Sequence, residues 1–514
     1  MATRIASALF ALTLVFSTAC AGLPFAAGSG EAKTPSLAPR DTWLFSQLTF
    51  RPSAGQMLLL TRVQSAFTSQ PGWDAAWATL NTTASSSGVD IQKDVLPLLD
   101  GELAIAAYSD PRDSRFVGFV HSSDAPKLLR ILAAADTAAR VEPGYKGAPT
   151  STAASGATVL AAYKGWLLFG DSRQAIQQTI DRIDGNGGDS LATVERYTSV
   201  VKRLPADRLG FGYEDISANT LDFAREILGG GPLANVVGAT GRLAWSFAAS
   251  TTGIDARLEV LNDRPDPSLK RTTAGIQGAF AQLPSSTILA VAGSDLGGLL
   301  GRALEAAIRS AEESDLNTGD STEQGLALIQ SLRDLVAGDW AIGAGREVIQ
   351  GFTGSGTPTS GVHAIARVND PLAIADALNG VLPENVLRLG EGSESAWTSD
   401  SFEGSAMTAG LDGPILFAGL GGPESVFAAR SSLGFSGNDR YNRLKPIFDR
   451  AEAGVFADIQ AIRETVVDSL SASDRASYER DVRPFIAPIK AVGSAARFED
   501  AMSATGDLLI LISP

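Results

Sequence analysis

The chain has few of the residues that build metal and redox sites. Its 514 residues include one cysteine, Cys20, and two histidines, His121 and His363. A single cysteine cannot form a disulfide within the chain, so stability must come from core packing. A histidine-based zinc site needs two or three converging ligands, and the two histidines fall at different positions of their predicted strands. We therefore predict no zinc site, no Ser-His-Asp triad and no cofactor.

Positive charge is also scarce, because 42 Lys and Arg stand against 57 Asp and Glu, which gives a net charge of -15. Non-specific binding to nucleic acid and attraction to an anionic lipid surface both rest on clustered Lys and Arg. Aromatic residues make up 7% of the chain without an accompanying basic stripe, which argues against base stacking. The composition therefore predicts no nucleic-acid partner.

Residues 1–20 have the pattern of an export signal. Arg4 supplies the positive charge, and Ile5 to Phe16 form an apolar segment that is too short to span a bilayer. No later stretch contains eighteen apolar residues without charge, so we expect no membrane-spanning helix elsewhere.

Small residues precede the only cysteine, which follows Ser17-Thr18-Ala19. This arrangement resembles the lipobox of bacterial lipoproteins, whose cysteine is lipidated and becomes the new N-terminus. The resemblance implies lipidation of Cys20. Ser17 stands where Leu is usual, and the alternative is an ordinary signal peptide cleaved elsewhere, such as after Ala27. Residues 21–37 are rich in Gly, Ser, Pro and Ala and predict a flexible tether.

One short pattern occurs twice in the chain, as Gly165–Asp171 and again as Gly413–Gly419. Each copy has a glycine, a short apolar run and a small residue before a predicted helix. Internal repeats of this kind indicate a duplicated architecture. The alignment predicts that Phe169 and Phe417 occupy equivalent buried positions.

A second pattern recurs at matching places. Arg196-Tyr197 and Arg440-Tyr441 each lie 17 or 18 residues before an acidic strand end, which carries Asp215 in one copy and Asp458 in the other. An acid between a strand and a helix usually caps the helix. We predict capping at both sites, and a catalytic carboxylate is the alternative.

Short turns join most of the predicted strands, which requires antiparallel pairing, and helices fill the longer gaps. We predict an α+β fold with two tandem homologous repeats, each an antiparallel sheet with helices on one face. Repeat 1 covers residues 38–264 and repeat 2 covers residues 283–514. Residues 265–282 form a linking helix, and a groove between the repeats is the natural place for a ligand.

This order of elements resembles an uncharacterised bacterial envelope family, catalogued as domain of unknown function 3352. The resemblance rests on Gly101-Glu102-Leu103-Ala104-Ile105, on the hairpin Gly165–Asp171, and on Leu204-Pro205-Ala206-Asp207 before a strand ending Tyr213-Glu214-Asp215. It implies an exported bacterial protein, and it implies no catalytic residue.

One acidic loop is a candidate metal site. Asp315, Asn317, Asp320 and Glu323 alternate oxygen ligands in the way that suits Ca²⁺. Glycine and acid are interchanged relative to the usual calcium loop, and position twelve is Leu326. The alternative is a solvated acidic loop between helices.

Two other short patterns carry little chemistry. Ser199-Val200-Val201-Lys202 fits the Ser-x-x-Lys spacing of penicillin-recognising enzymes, but it precedes a helix end and no Lys-Thr-Gly partner occurs. The glycine-rich stretches 185–188 and 229–231 lack the Lys-Ser/Thr of a phosphate loop and predict ordinary loops.

The function that these patterns favour is a non-catalytic binding or scaffold module of the cell envelope, anchored to the membrane by lipid, whose partner is a protein, a peptide or an apolar ligand. One alternative is a carrier of a lipid or apolar ligand in a cavity between sheet and helices. The other is a hydrolase that uses paired carboxylates, with Asp215 or Asp458 as the acid.

Overall fold

The computed structural model divides the chain into two compact units. The first comprises Met1–Pro265, Ser477–Pro488 and Ile512–Pro514, and the second Asp266–Ala476 and Ile489–Leu511. The residues that the structure describes are 33–84, 90–134, 140–153, 158–216, 240–265, 275–297, 335–336, 338–353, 360–381, 386–389, 395–402, 405–424, 426–427 and 434–513.

The first unit is built on an antiparallel sheet. Its described strands are β1 (Thr42–Thr49), β2 (Leu99–Tyr108), β3 (Arg115–Ser122), β4 (Val141–Pro143), β5 (Pro149–Thr152), β6 (Val159–Tyr163), β7 (Trp166–Gly170), β8 (Gly210–Ile216), β9 (Gly241–Ala249) and β10 (Gly253–Asn262). They pair in the order β10-β9-β8-β1-β2-β3-β7-β6-β5-β4, and every neighbour is antiparallel.

The second unit has a sheet of the same kind. Its described strands are β11 (Leu289–Gly293), β12 (Trp340–Ala344), β13 (Val362–Arg367), β14 (Leu387–Leu389), β15 (Ala396–Phe402), β16 (Ser405–Asp412), β17 (Ile415–Leu420), β18 (Ala453–Ala457), β19 (Ile489–Asp500) and β20 (Ser503–Ile512). Their order is β20-β19-β18-β11-β12-β13-β17-β16-β15-β14. The predicted antiparallel α+β architecture is confirmed.

The helices described in the first unit are α1 (Thr34–Leu37), α2 (Ala54–Thr68), α3 (Trp73–Ala84), α4 (Ala125–Ala134), α5 (Arg173–Ile183) and α6 (Glu195–Val201). Later in the chain come α7 (Gln277–Phe280), α8 (Arg346–Thr353), α9 (Pro371–Val381), α10 (Asp439–Leu444), α11 (Ile459–Ser469), α12 (Ala472–Asp481) and α13 (Arg483–Ile486). None of the helices in the described ranges is long and apolar enough to cross a membrane.

Helices cover both faces of the sheet in the first unit, which corrects the prediction of helices on one face. Successive residues of β7 belong to different clusters: Leu168 packs with Ile176 of α5, whereas Leu167 packs with Leu128 of α4. Side chains alternate between the two faces of a strand. Because β7 is apolar at successive positions, both faces need a covering helix.

The same alternation corrects the predicted equivalence of Phe169 and Phe417. Trp166 pairs with Tyr163 across the first hairpin turn, and Ile415 pairs with Asp412 across the second. Counted from these pairs, Phe417 matches Leu168 and not Phe169. A one-residue shift moves a side chain to the opposite face.

The two phenylalanines accordingly have different surroundings. Phe417 is buried in the main cluster of the second unit. Phe169 is half-buried on the opposite face of β7, and its ring lies over Gly118 of β3, where a Cβ would come within 2.0 Å of the ring. Any side chain at Gly118 would displace that ring.

The structure bears on three of the predicted segments. The tether predicted over 21–37 ends earlier, because α1 is a helical turn in which Thr34, Pro35 and Leu37 are buried. The linking helix predicted over 265–282 is described only from residue 275, and there α7 contributes Phe280 to the core of the second unit. Residues 477–488, which were assigned to repeat 2, belong to the first unit.

Candidate functional site

Two of the predicted sites lie outside the described residues. These are the lipidation site at Cys20 and the calcium candidate formed by Asp315, Asn317, Asp320 and Glu323. Within the described ranges, no group of three or more His, Cys, Asp or Glu could hold a metal ion.

Asp458 caps a helix, as predicted. It stands between β18 and α11, where its Oδ1 accepts a hydrogen bond of 2.9 Å from the backbone N–H of Ala461. Its other oxygen, Oδ2, accepts a hydrogen bond of 2.7 Å from Nη1 of Arg440. Because the carboxylate is buried, each of its oxygens needs a hydrogen-bond donor within the protein, and both have one.

Asp215 lies near the end of β8, and its carboxylate binds an arginine. Arg196 of α6 donates from Nε to Oδ2 and from Nη2 to Oδ1, both at 2.9 Å, in the bidentate geometry that Arg and carboxylate favour. The residues after Ile216, whose backbone N–H groups would donate to a cap, lie outside the described part of the chain.

Arg196 binds a second acid that sequence reasoning missed. Its Nη1 donates to Oδ1 of Asp263 at 2.7 Å. The hydrogen bond from Arg196 and the charge of its guanidinium lower the pKa of Asp263. The hydrogen bonds to Asp215 and to Asp263 raise the pKa of Arg196. Asp263 directly follows the end of β10, and nothing in the sequence indicates that this position lies beside Arg196 of α6.

The two histidines are engaged locally. Nδ1 of His121 lies 2.6 Å from Oδ1 of Asp100, and its imidazole packs edge-on against Trp166 at 4.9 Å. His363 is half-buried, and burial lowers its pKa.

Ser199 and Lys202 are not arranged as a nucleophile and its base. The hydroxyl of Ser199 donates to the backbone oxygen of Arg196 one turn earlier, at 3.0 Å. Lys202 is exposed at the end of α6.

A groove between α2 and α3 was not predicted. It has a volume of about 650 Å³. The helix α2 contributes the polar residues Thr61, Gln64, Ser65 and Thr68, whereas α3 contributes Trp73, Asp74, Trp77 and Ala78, and Asp90 and Lys93 complete the lining. Both sets follow the i, i+3, i+4 spacing that places side chains on one face of a helix.

Aromatic packing fixes one wall of this groove. The rings of Trp73 and Trp77 are nearly parallel, at 9° and a centroid distance of 5.8 Å. Trp73 is buried and also contacts Phe67 at 6.2 Å and Phe485 of α13 at 5.3 Å. Trp77 is half-buried. The ring of Trp73 is thus held by three aromatic neighbours, and the ring of Trp77 borders the groove.

Two further cavities are also largely polar. A cavity of about 570 Å³ is lined by residues such as Arg450, Glu452 and Arg497. Another of about 330 Å³ is lined by residues such as Arg115 and Arg182. Ligand pockets for apolar molecules are lined mainly by hydrophobic and aromatic side chains, and these linings differ from that pattern.

Comparison with known proteins gives a family and several distant structural similarities. The chain is similar to crystal forms III and I of TP0453, with 9% and 10% sequence identity and TM-scores of 0.27 and 0.28. The similarity covers 45% and 46% of this chain and 81% and 82% of those chains. No curated protein sequence matches the chain.

A family model described as a protein of unknown function, DUF3352, matches residues 2–512. This confirms the resemblance seen in the sequence. The chain belongs to the DUF3352 family of proteins of unknown function.

Proposed function

We propose that this protein is an exported, non-catalytic binding module of the bacterial cell envelope, anchored by lipid at Cys20. The observation that carries the binding role is the groove between α2 and α3, in which indole rings face polar side chains. Concave sites that combine aromatic surface with a few polar groups are typical of ligand binding.

Duplication of one ancestral unit accounts for the architecture. The strand order is the same in both units when each strand of the first is matched with the strand ten places later. Under this match the pairs Arg196–Asp215 and Arg440–Asp458 join matching helices to the ends of matching strands, Asp215 within β8 and Asp458 directly after β18. Shared topology together with a shared ion pair supports two homologous repeats.

The acids that could have served a hydrolase have structural partners. Arg196 donates to both carboxylate oxygens of Asp215, and Asp458 accepts hydrogen bonds from Arg440 and from the start of α11. A general acid must lie within hydrogen-bond reach of the group that it protonates, whereas these carboxylate oxygens already have partners inside the protein. These surroundings support a binding role over hydrolysis.

A cell fractionation experiment tests the anchor. The wild-type protein should partition into detergent and carry a diacylglyceryl mass, and Cys20→Ala should release the protein from membranes. Ser29→Ala, in the segment after the cysteine, is the matched control and should leave the anchor intact. Wild-type protein recovered without a lipid mass would contradict anchoring.

Native mass spectrometry tests the binding role. Protein purified from its own envelope should carry a retained ligand or partner, visible as a mass above that of the mature chain. Finding only the bare chain from the envelope, under conditions that preserve a known complex, would count against the binding module.

A further inference from the structure

We propose that the groove between α2 and α3 binds an uncharged oligosaccharide. This inference rests on the proposed binding function and names the class of ligand. A sugar ring presents apolar C–H faces and an equatorial rim of hydroxyl groups, and the groove offers a matching surface for each.

The indole of Trp77 supplies the surface for the apolar face of a sugar. It is half-buried and borders the groove, and Trp73 lies parallel behind it at 5.8 Å. Because Trp73 is itself packed against Phe67 and Phe485, the pair is held in one orientation. A preorganised aromatic surface binds at a low cost in side-chain entropy.

The opposite wall supplies acceptors for sugar hydroxyl groups. The hydroxyl of Thr61 donates to the backbone oxygen of Met57 at 2.9 Å, and that of Ser65 donates to the oxygen of Arg62 at 2.8 Å. Each hydroxyl proton is therefore directed to the helix, which leaves oxygen lone pairs as acceptors. Both residues are exposed along the same face of α2.

Two donors of the groove residues lack acceptors. Nε2 of Gln64 and Nε1 of Trp77 are buried and have no hydrogen-bond partner within the described part of the chain. A buried donor without a partner destabilises the fold. Both donors belong to residues that line the groove, where a ligand would bring hydroxyl oxygens.

The charges of the groove argue against an anionic ligand. Asp74 and Asp90 stand against Lys93, whose Nζ lies 3.4 Å from Asp90. An anionic ligand would meet an excess of negative charge here. Carboxylates and an ammonium group are, however, suitable hydrogen-bond partners for hydroxyl groups.

Fluorescence titration of the purified mature chain tests the proposal, with tetra-N-acetylchitotetraose and maltotetraose as probes. At least one probe should change tryptophan emission saturably, and Trp77→Ala should weaken its binding at least tenfold. Trp245→Phe is the matched control, because Trp245 is also half-buried but lies on β9 over Gly212. That variant should bind as the wild type does.

A second variant separates loss of binding from loss of folding. Ser65→Tyr adds a ring at an exposed position of α2 and should block the groove while leaving the thermal unfolding temperature unchanged. Binding of both probes that survives in Ser65→Tyr and Trp77→Ala would overturn the proposal. So would failure of both probes to bind the wild type, or saturable binding of a proline-rich peptide alone.

The state of the oligosaccharide after the titration shows whether the sugar site or the non-catalytic role has failed. Oligosaccharide recovered intact after binding supports both. Cleavage to shorter sugars that Trp77→Ala abolishes would support the groove as a sugar site and would contradict a non-catalytic role. Absence of sugar binding in a protein that remains lipid-anchored would contradict the groove inference and leave the anchor standing.

Discussion

Arg196 binds the carboxylate of Asp215 through two parallel hydrogen bonds of 2.9 Å, and it joins α6 to β8 by doing so. The residue after this arginine, Tyr197, packs edge-on against Tyr213 of the same strand at 5.2 Å. In the second unit Arg440 binds Asp458, while Tyr441 packs edge-on against Phe456 at 5.9 Å. In each unit an ion pair and an aromatic contact thus fasten a short helix to the end region of a strand.

Removing the arginine of the first pair should destabilise the protein. Arg196→Met leaves Asp215 without its bidentate partner, and we expect a loss of about 2 kcal/mol in the free energy of unfolding, since hydrogen bonds to charged groups contribute roughly 1.5–3 kcal/mol and partial exposure reduces this. Arg40→Met is the control, because the pair of Arg40 with Asp189 is exposed on both sides. Chemical denaturation followed by circular dichroism measures both, and equal losses would contradict the prediction.

Substitutions at Asp458 should separate its cap from its ion pair. Asn can accept the hydrogen bond from the N–H of Ala461 but carries no charge. Ala has neither an acceptor nor a charge. We therefore expect Asp458→Asn to cost about 1 kcal/mol less than Asp458→Ala, the usual difference for a helix cap. Asp439→Ala is the control, because Asp439 is exposed and Asn438 caps that helix. If Asn and Ala destabilise the protein equally, the capping bond contributes nothing.

The register of the two hairpins can be tested by truncation. Leu168→Ala should cost about 2–5 kcal/mol and Phe417→Ala about 3–5 kcal/mol, because both side chains are buried in the main core of their unit. Phe169→Ala should cost only about 1–2 kcal/mol, since its ring is half-buried over Gly118. Thermal unfolding of the three variants measures the order, and a larger loss for Phe169→Ala than for Leu168→Ala would restore the original alignment.

The repeated spacing from Arg-Tyr to an acid marked Asp215 and Asp458 in the sequence, but it predicted helix caps and not the ion pairs with Arg196 and Arg440. The ion pairs depend on how a helix packs against a strand, which local spacing does not reveal. The hairpins misled the alignment, because their turns place glycine differently. Lys164 and Gly165 both have positive φ in the first turn, whereas Gly413 has positive φ in the second and is followed by Pro414. Matching Gly165 to Gly413 therefore shifts the two strands by one residue relative to their hairpin turns.

The groove could not be found from local patterns. The spacing of Thr61, Ser65 and Thr68 on α2 predicts only an exposed polar face, and Trp73 with Trp77 predicts only a core stripe of α3. The distance between two helices depends on packing. Phe485, which holds Trp73 in place, comes from a segment that lies far along the chain and that the sequence assigned to the other repeat.

Tyr441→Phe should stabilise the protein, because the hydroxyl of Tyr441 is buried and has no hydrogen-bond partner among the described residues. We expect a gain of about 1 kcal/mol at pH 7, near the lower end of the cost of an unsatisfied buried group. Burial also raises the pKa of Tyr441 above its ordinary value of 10.0. The unfolded chain therefore ionises first, so the stability of the wild type is complete below pH 10 and falls as the pH rises above it. The variant should lose less stability between pH 9 and pH 11.

Tyr213→Phe is the matched control, since burial raises the pKa of Tyr213 as well but its hydroxyl donates to Asp215 at 3.4 Å. It should show the same relief at high pH without the gain at pH 7, and a destabilised Tyr441→Phe would show that this hydroxyl has a partner in solution.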